Sequence, residues 1–371
     1  MLLEKEAHLG GRVRTRLSGG IAYDMGAVLA FDPRALPFGF RPPAPLLERG
    51  RLGLYHRGRT SYGKTVLETI SAALPKEAAE AARAFAQGRV GLGDLPPSSR
   101  DIVNAFFRII HPGEIEEYAK ERHRDAFVQY LPAHYPDGNA GLVHALKERS
   151  AAEMRTGVEV QAIARTPGGF TVTCLQEGRP LRFEARAAVV ATPAPVARRL
   201  LAALPVETSG YLDAVRYGAF TVAAIGVRDV CFTDFAYLVS PDLEVNTIYK
   251  QEFPDSPIRV LIGYFCDRAS QSAARLEDAE VVERLRGAVC ETGVAEVRSQ
   301  DVIFSDVARW PLGGTIASRE LRERWSPGLV APEKGIFLAG DYLRRDFPYG
   351  TDPAIRSGVE AGQRAKEFLE A

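Results

Sequence analysis

Cysteine is scarce in this chain and histidine little commoner, four of one and six of the other among 371 residues. Cys174, Cys231, Cys266 and Cys290 stand far apart and form no C-x-x-C pair, which excludes an evident zinc or disulfide framework. The pattern predicts four buried, reduced thiols in a cytoplasmic protein. No stretch approaches the roughly 20 consecutive apolar residues of a membrane span. Glu4, Lys5 and Glu6 interrupt the apolar start before a signal peptide can form. An excess of charge is missing as well. With 47 basic and 47 acidic side chains, neither nucleic acid nor an anionic membrane finds an electrostatic hold. What remains is an ordinary globular composition in a chain long enough for two joined domains.

Met1-Leu2-Leu3-Glu4 reads as the tail of a strand, and Gly10-Gly11 breaks the chain before a turn and short strand over Val13 to Tyr23. Pro and Gly crowd residues 33 to 53, which predicts a loop. From Ser61 to about Arg124 the periodicity is helical, clearest over Glu77 to Gln87 and Ile102 to Ile110. Asn139 to Arg149 reads as a short amphipathic helix. Three strand-like runs follow, Val158 to Ile163, Phe170 to Cys174 and Leu181 to Phe183, with Gly-containing turns that predict a meander. Ala187 to Ala191 is a buried strand, and a helix lies near Val196 to Leu204. Val222 to Val227 and Arg259 to Phe265 are apolar strands, Leu276 to Cys290 a charged helix, and Ile336 to Ala339 a short buried strand before a helix over Ala354 to Leu369. The blocks predict an α/β fold of two domains that exchange the chain more than once. One is assembled from 1–32, 135–205 and 300–371, the other, helices and an antiparallel sheet, from 33–134 and 206–299.

Three segments carry chemistry. An acidic residue ending the second strand of a dinucleotide-binding fold accepts hydrogen bonds from ribose hydroxyls, and Glu4 is placed for it. Gly10 and Gly11 let the backbone approach a pyrophosphate, and Arg12 beside them can neutralise it. A solvated charge run with a plain Gly-Gly turn explains the same residues. In Tyr23-Asp24-Met25-Gly26-Ala27, Gly26 and Ala27 are small enough for a flat ring to pack on the backbone, though a simple turn accounts for them too. In the third segment a buried strand delivers Gly340-Asp341, and a helix begins at Pro353-Ala354 with Asp352 as its N-cap. The helix N-terminus at Ala354 and Ile355 suits an electron-rich ring edge, and a capped helix without a ligand is the alternative.

The set E-K-E-x-x-L-G-G-R-V-R-T, Y-D-x-G-A and G-I-F-L-A-G-D-Y with A-I-R-S-G-V-E-A-G resembles the FAD-binding signature of the flavin amine oxidases, shared by protoporphyrinogen oxidases and carotenoid-type desaturases. Tyr135 to Leu142 resembles the family's P-x-G-G-x-x-x-L. Val158-Glu159-Val160 resembles its adenine-contacting strand and Val189 to Pro193 its V-V-x-A-x-P, so the likeness runs from Leu3 to the last helix. The resemblance implies FAD, hydride removal from a small organic substrate, and Trp310 and Tyr349 as aromatic walls of the substrate pocket, though either could equally be core, Trp310 above all. No cysteine lies near Gly340-Asp341, so the FAD is expected to be held non-covalently. The resemblance leaves oligomeric state open.

Two departures qualify it. The family opens with a strand and a G-x-G-x-x-G turn about 20 residues or more before the ribose-binding acid, whereas three residues precede Glu4 here. A Rossmann-like domain lacking that first strand and helix is expected to hold little FAD, and a non-catalytic, FAD-free partner of the same fold is the rival reading. An in-frame G-x-G-x-x-G upstream of Met1 would decide for the complete enzyme. The second departure is chemical: the family's flavin-facing lysine matches Val222 in this chain, which favours a desaturase-like or porphyrinogen-oxidase-like relative over a typical amine oxidase.

Overall fold

The computed structural model describes residues 1–27, 46–47, 50–128, 133–254, 256–345 and 350–371. It begins with a short strand, β1 (Leu2–Leu3), and a hairpin of β2 (Thr15–Ser18) and β3 (Ile21–Asp24). A two-residue strand, β4 (Leu46–Leu47), precedes a second hairpin, β5 (Arg51–His56) and β6 (Arg59–Gly63). Helices α1 (Val66–Ala73), α2 (Lys76–Ala86) and α3 (Pro97–Phe107) follow. Next come β7 (Ala133–His134), α4 (Ala140–Glu148) and β8 (Met154–Arg155). The meander β9 (Val158–Thr166), β10 (Gly169–Gln176) and β11 (Arg179–Ala185) leads into β12 (Ala188–Val190), α5 (Ala194–Leu200) and α6 (Val206–Ala214). Four strands then build the largest sheet, β13 (Tyr217–Arg228), β14 (Phe235–Val239), β15 (Thr247–Glu252) and β16 (Ile258–Cys266). The chain closes with α7 (Asp267–Ala273), α8 (Asp278–Glu291), β17 (Val302–Thr315), α9 (Arg319–Arg324), β18 (Ile336–Leu338) and α10 (Thr351–Glu370).

Two parallel pairs give the molecule its Rossmann-like part. β1 lies beside β8 with Leu2 opposite Met154, and β12 lies beside β18 with Ala188 opposite Ile336. Parallel neighbours need a crossover between them, so residues from both chain ends and the middle meet here. Helix α10 covers the second pair, burying Ala361 and Ala365 against Phe337 and Ala339. The Phe170 face of the meander packs with α5 and α6 in a neighbouring cluster.

The large sheet has the order β17-β13-β16-β15-β14-β5-β6 and is antiparallel except where β14 meets β5. Its inner strands are buried on both faces because both are covered, and a sheet buried on both sides loses the alternation of a solvated one. Helices α1 to α3 pack on one face with Ile70, Ile102 and Phe106. Helix α8 packs on the other with Val281, Leu285 and Val289. Gly263 leaves room there, since a Cβ on it would sit 2.5 Å from the Leu285 side chain. The architecture is thus mixed α/β with interleaved segments, as the sequence predicts.

Several boundaries differ from expectation. Residues 51 to 63 form the β5–β6 hairpin, where the sequence reading has a loop running into helix. β14 and β15 were not foreseen. Helix α10 starts at Thr351, two residues ahead of Pro353, with Gly350 as its N-cap, and Asp352 instead receives the Arg356 guanidinium at 2.9 Å. The thiols are free but not uniformly buried: Cys174 and Cys266 are buried, Cys290 is half-buried and Cys231 is exposed. Of the predicted loop over 33 to 53, residues 33–45 and 48–49 lie outside the described residues, as does the aromatic Tyr349. Among the described residues no helix is long and apolar enough to cross a membrane, and no His, Cys, Asp and Glu cluster could hold a metal.

Candidate functional site

The turn after β1 sets the site's first wall. Gly10 and Gly11 have φ of 112° and 57°, and the Gly10 carbonyl accepts the Val13 N–H at 3.0 Å. A Cβ on Gly10 would meet Val13 O at 2.7 Å and the α4 residue Val143 at 3.1 Å, so the turn is seated directly on α4. A Cβ on Gly11 would meet nothing within 4 Å, which leaves that backbone open to approach.

Arg12 then reaches across the molecule. One guanidinium nitrogen lies 2.9 Å from Asp341 and another donates to the Gly313 carbonyl at 3.0 Å. Asp341 is 1% exposed, and a buried carboxylate persists because a charge partner and hydrogen bonds offset its lost solvation. Its Oδ1 also accepts the Tyr342 N–H at 3.0 Å. Tyr211, Tyr217 and Tyr342 surround it; burial first and the Asp341 charge second push the Tyr217 hydroxyl up to about 12, so it stays a neutral phenol.

The backbone of Arg12 also fixes the second wall. Its carbonyl accepts the Ala27 N–H at 3.1 Å, and a Cβ on Gly26 would lie 2.0 Å from that same oxygen. Gly26 is therefore required by close approach of two chains. The Trp310 indole donates to the Met25 carbonyl at 2.7 Å and the Tyr264 hydroxyl to the Gly26 carbonyl at 2.6 Å. Trp310, half-buried against the core, belongs to this wall.

The third wall is the end of β18 and the start of α10. Gly340 N–H donates to Ser357 Oγ at 2.9 Å, and Ser357 donates to the Ala354 carbonyl at 2.9 Å, tying the strand end to the first turns of the helix. Gly350, the N-cap of α10, brings no side chain to cap it. Among the first-turn N–H groups, that of Ala354 is already bonded to the Gly350 carbonyl at 3.3 Å. Ile355 packs on Leu142 of α4.

Glu4 and Val160 form a separate patch. Glu4 N–H donates to the Arg155 carbonyl and its own carbonyl accepts from Val158, both at 2.9 Å, so the parallel pairing carries past β1. Its carboxylate accepts the Glu6 N–H at 2.9 Å. Val160 shares a cluster with Leu3, Val158 and Cys174.

Tyr264, Asp24 and Asn139 escaped the sequence reading. Tyr264 sits in an apolar run that looks like core, whereas Asp24 stood in view inside Tyr23-Asp24-Met25-Gly26-Ala27. Asp24 is fully buried, accepts the Asn139 N–H at 3.0 Å, and burial pushes its carboxyl up to about 6 against the opposing pull of Thr15 and Asn139. Val222 lies fully buried opposite Tyr264. The buried Lys250 belongs to the other face, with Glu252 at 3.1 Å and its ammonium 5.3 Å from the Phe235 ring centre, so it supplies no ammonium beside Trp310.

A Rossmann-like pair joined to a sheet-and-helix unit, meeting at a glycine-lined seam with one buried ion pair, defines a nucleotide-cofactor oxidoreductase architecture. The family described as flavin containing amine oxidoreductase matches residues 83–365, and the chain belongs to that family of FAD-dependent oxidoreductases. Among solved structures, cyclohexylamine oxidase from Brevibacterium oxydans IH-35A is similar with a TM-score of 0.74 and 14% identity, covering 100% of this chain and 93% of that one. A putrescine oxidase redesigned in its cofactor binding is similar with a TM-score of 0.70 and 11% identity over 100% of this chain and 93% of its own. At such identities the likeness concerns the fold.

Proposed function

We propose that this protein binds FAD non-covalently along the seam and removes hydride from a C–H bond of a small organic substrate. The observation that carries the reading is the Arg12–Asp341 pair beside Gly26. A buried carboxylate with a cationic partner, a backbone open at Gly11 and the start of a long helix together suit a diphosphate, polyol and electron-rich ring. The residues present therefore fit the cofactor, and FAD when bound supplies the hydride-accepting ring.

The chain's own groups have assignable parts. Glu4 holds the ribose hydroxyls, with Val160 on the adenine side. Gly10, Gly11 and Arg12 face the diphosphate, Gly26 and Ala27 the ring, and Asp341 a polyol hydroxyl. The helix start near Ala354 and Ile355 faces the ring edge, and Trp310 with Tyr349 walls the substrate. With Val222 in place of a lysine, and no other ammonium on that face among the described residues, a water-bridging lysine has no part, which supports desaturation or a porphyrinogen-type oxidation over amine oxidation. Cys266 lies two strands from Trp310, and burial pushes its thiol up to about 12. It is therefore a protonated, inaccessible thiol and not an attachment point.

We assign the cofactor domain to 1–32, 135–205 and 300–371 and the substrate domain to 33–134 and 206–299, with β17 running along the seam. A strand, G-x-G-x-x-G turn and helix placed ahead of Leu2 would add backbone N–H donors for the diphosphate. The free thiols favour a reducing, cytoplasmic setting. FAD added to purified protein, followed by gel filtration and acid precipitation, tests this. Flavin that co-elutes and is released by acid supports it, and flavin remaining in the pellet contradicts non-covalent binding. No retention at any FAD concentration, even with the added segment, would favour a non-catalytic partner protein.

A further inference from the structure

Asp24 is a buried acid in a motif whose glycine has a use and whose carboxylate so far has none. Its two oxygens lie 3.0 and 3.1 Å from the Asn139 N–H, at the start of α4, and Oδ1 accepts the Thr15 hydroxyl at 2.5 Å. Thr15 Oγ1 in turn accepts the Ala140 N–H at 3.0 Å. Helix α4 has no cap from its own side chains, so the β2–β3 hairpin provides one from more than a hundred residues away. The fit is close. Gly138 has φ of 70°, and a Cβ there would lie 2.3 Å from the Thr15 side chain.

The clamp continues to the ring wall. The Asn139 side-chain amide donates to the Ala27 carbonyl, while Ala27 N–H is held by Arg12. Both peptide groups of Ala27 are thus fixed, one through Arg12 and one through Asn139, and Asn139 is fixed by Asp24. We propose that Asp24 is a positioning residue for the cofactor wall, acting through Asn139 to hold Gly26 and Ala27 against Arg12. This rests on the flavin reading above for its purpose and on hydrogen bonds alone for its mechanism. Thr15 from β2, the start of α4 and His134 from β7 face the carboxylate; His134 is the ionisable neighbour. Because hydrogen-bond geometry does the holding, asparagine at this position keeps the clamp, with its amide turned toward Thr15 Oγ1.

Amide hydrogen exchange on the full chain reads the clamp directly. Asp24→Ala should speed exchange at Ala27, Asn139 and Ala140 by about tenfold or more, with Ile262 in the large sheet unchanged. Asp24→Asn should stay within about threefold of the native protein at all four. Asn139→Ala, which keeps the backbone donor, should speed Ala27 alone. Equal acceleration everywhere in Asp24→Ala, or none at Ala27 in either alanine variant, would overturn the assignment. A parallel FAD titration separates the two claims. Loss of affinity in Asp24→Ala with rescue in Asp24→Asn supports the positioning role, and equal affinity in all variants overturns it. Absence of FAD binding even in the native protein counts against the flavin reading, and the exchange pattern then decides on Asp24.

Discussion

Arg12 and Asp24 are the two side chains whose removal should be felt most, for opposite reasons. Truncating Arg12→Ala leaves Asp341, 1% exposed, without its charge partner. Breaking a buried pair from one side costs about 3 kcal/mol or more, so the urea midpoint should fall well below that of Arg16→Ala, whose partner Asp306 is partly solvated. Matching midpoints for the two variants would remove Arg12 from the structure's critical contacts. For Asp24 the sign reverses. Its carboxyl is raised from 3.8 to about 6 in the fold, mainly by burial. The folded state therefore binds the proton more tightly than the unfolded chain, and the contribution, full below pH 3.8, is lost as pH rises through about 6. The loss is roughly 3 kcal/mol by linkage. Asp24→Asn should flatten that part of the profile and gain on the native protein between pH 4.5 and 7.5. Parallel denaturation curves at the two pH values would show that the acid is not desolvated. Asp341 was legible because a glycine and an acid end a buried strand. Tyr264 was not, since a hydroxyl aimed at a carbonyl in another segment leaves no trace in an apolar run.

At the scale of elements, glycines separate close packing from mere helix start. Gly26→Ala would drive a Cβ to 2.0 Å from the Arg12 carbonyl, both backbones having to move. Overpacking of this kind costs about 3 kcal/mol. Gly141→Ala in α4, with nothing within 4 Å of the new carbon, should instead gain about 0.5–1 kcal/mol from helix propensity. A thermal melt of each variant distinguishes them, and destabilisation by both would mean that α4 is more tightly covered than its open flank indicates. The meander, the β12 strand and the β18–α10 unit could be read in the sequence because local alternation, turns and helix period agree there. The β5–β6 hairpin could not. Its signal is a two-residue turn, Arg57-Gly58, with φ of 52° and 75°, and arginine is an uncommon first residue for a turn that needs positive φ twice. β14 and β15 hid for another reason: buried on both faces, they show no alternation of exposed and buried positions, and β5, which flanks β14 on one side, comes from distant sequence.

At the scale of the molecule, the seam exists because three stretches of chain return to it. β1 pairs with β8, β12 with β18, and β17 pairs along β13 while giving Gly313 to Arg12 and Trp310 to Met25. Much of this was visible as motif order, from Glu4 through Gly10-Gly11-Arg12 and Gly26 to Gly340-Asp341. The contacts that lock the order, Asp24 to Asn139 above all, depend on tertiary approach and were not. We propose above all that Glu4 at the end of β1 is a cofactor-binding acid and its neighbour Glu6 a surface charge. The most direct measurement is an FAD titration, followed by flavin fluorescence, of the chain preceded by a strand, G-x-G-x-x-G turn and helix, beside the chain starting at Met1. The extended protein should bind FAD at least as tightly as the chain starting at Met1. In the extended protein Glu4→Ala should weaken binding by about tenfold or more, since two charge-assisted bonds are lost at roughly 1.5–3 kcal/mol each, and Glu6→Ala by no more than about twofold. Equal effects of the two substitutions, or no binding by the extended protein, would contradict it.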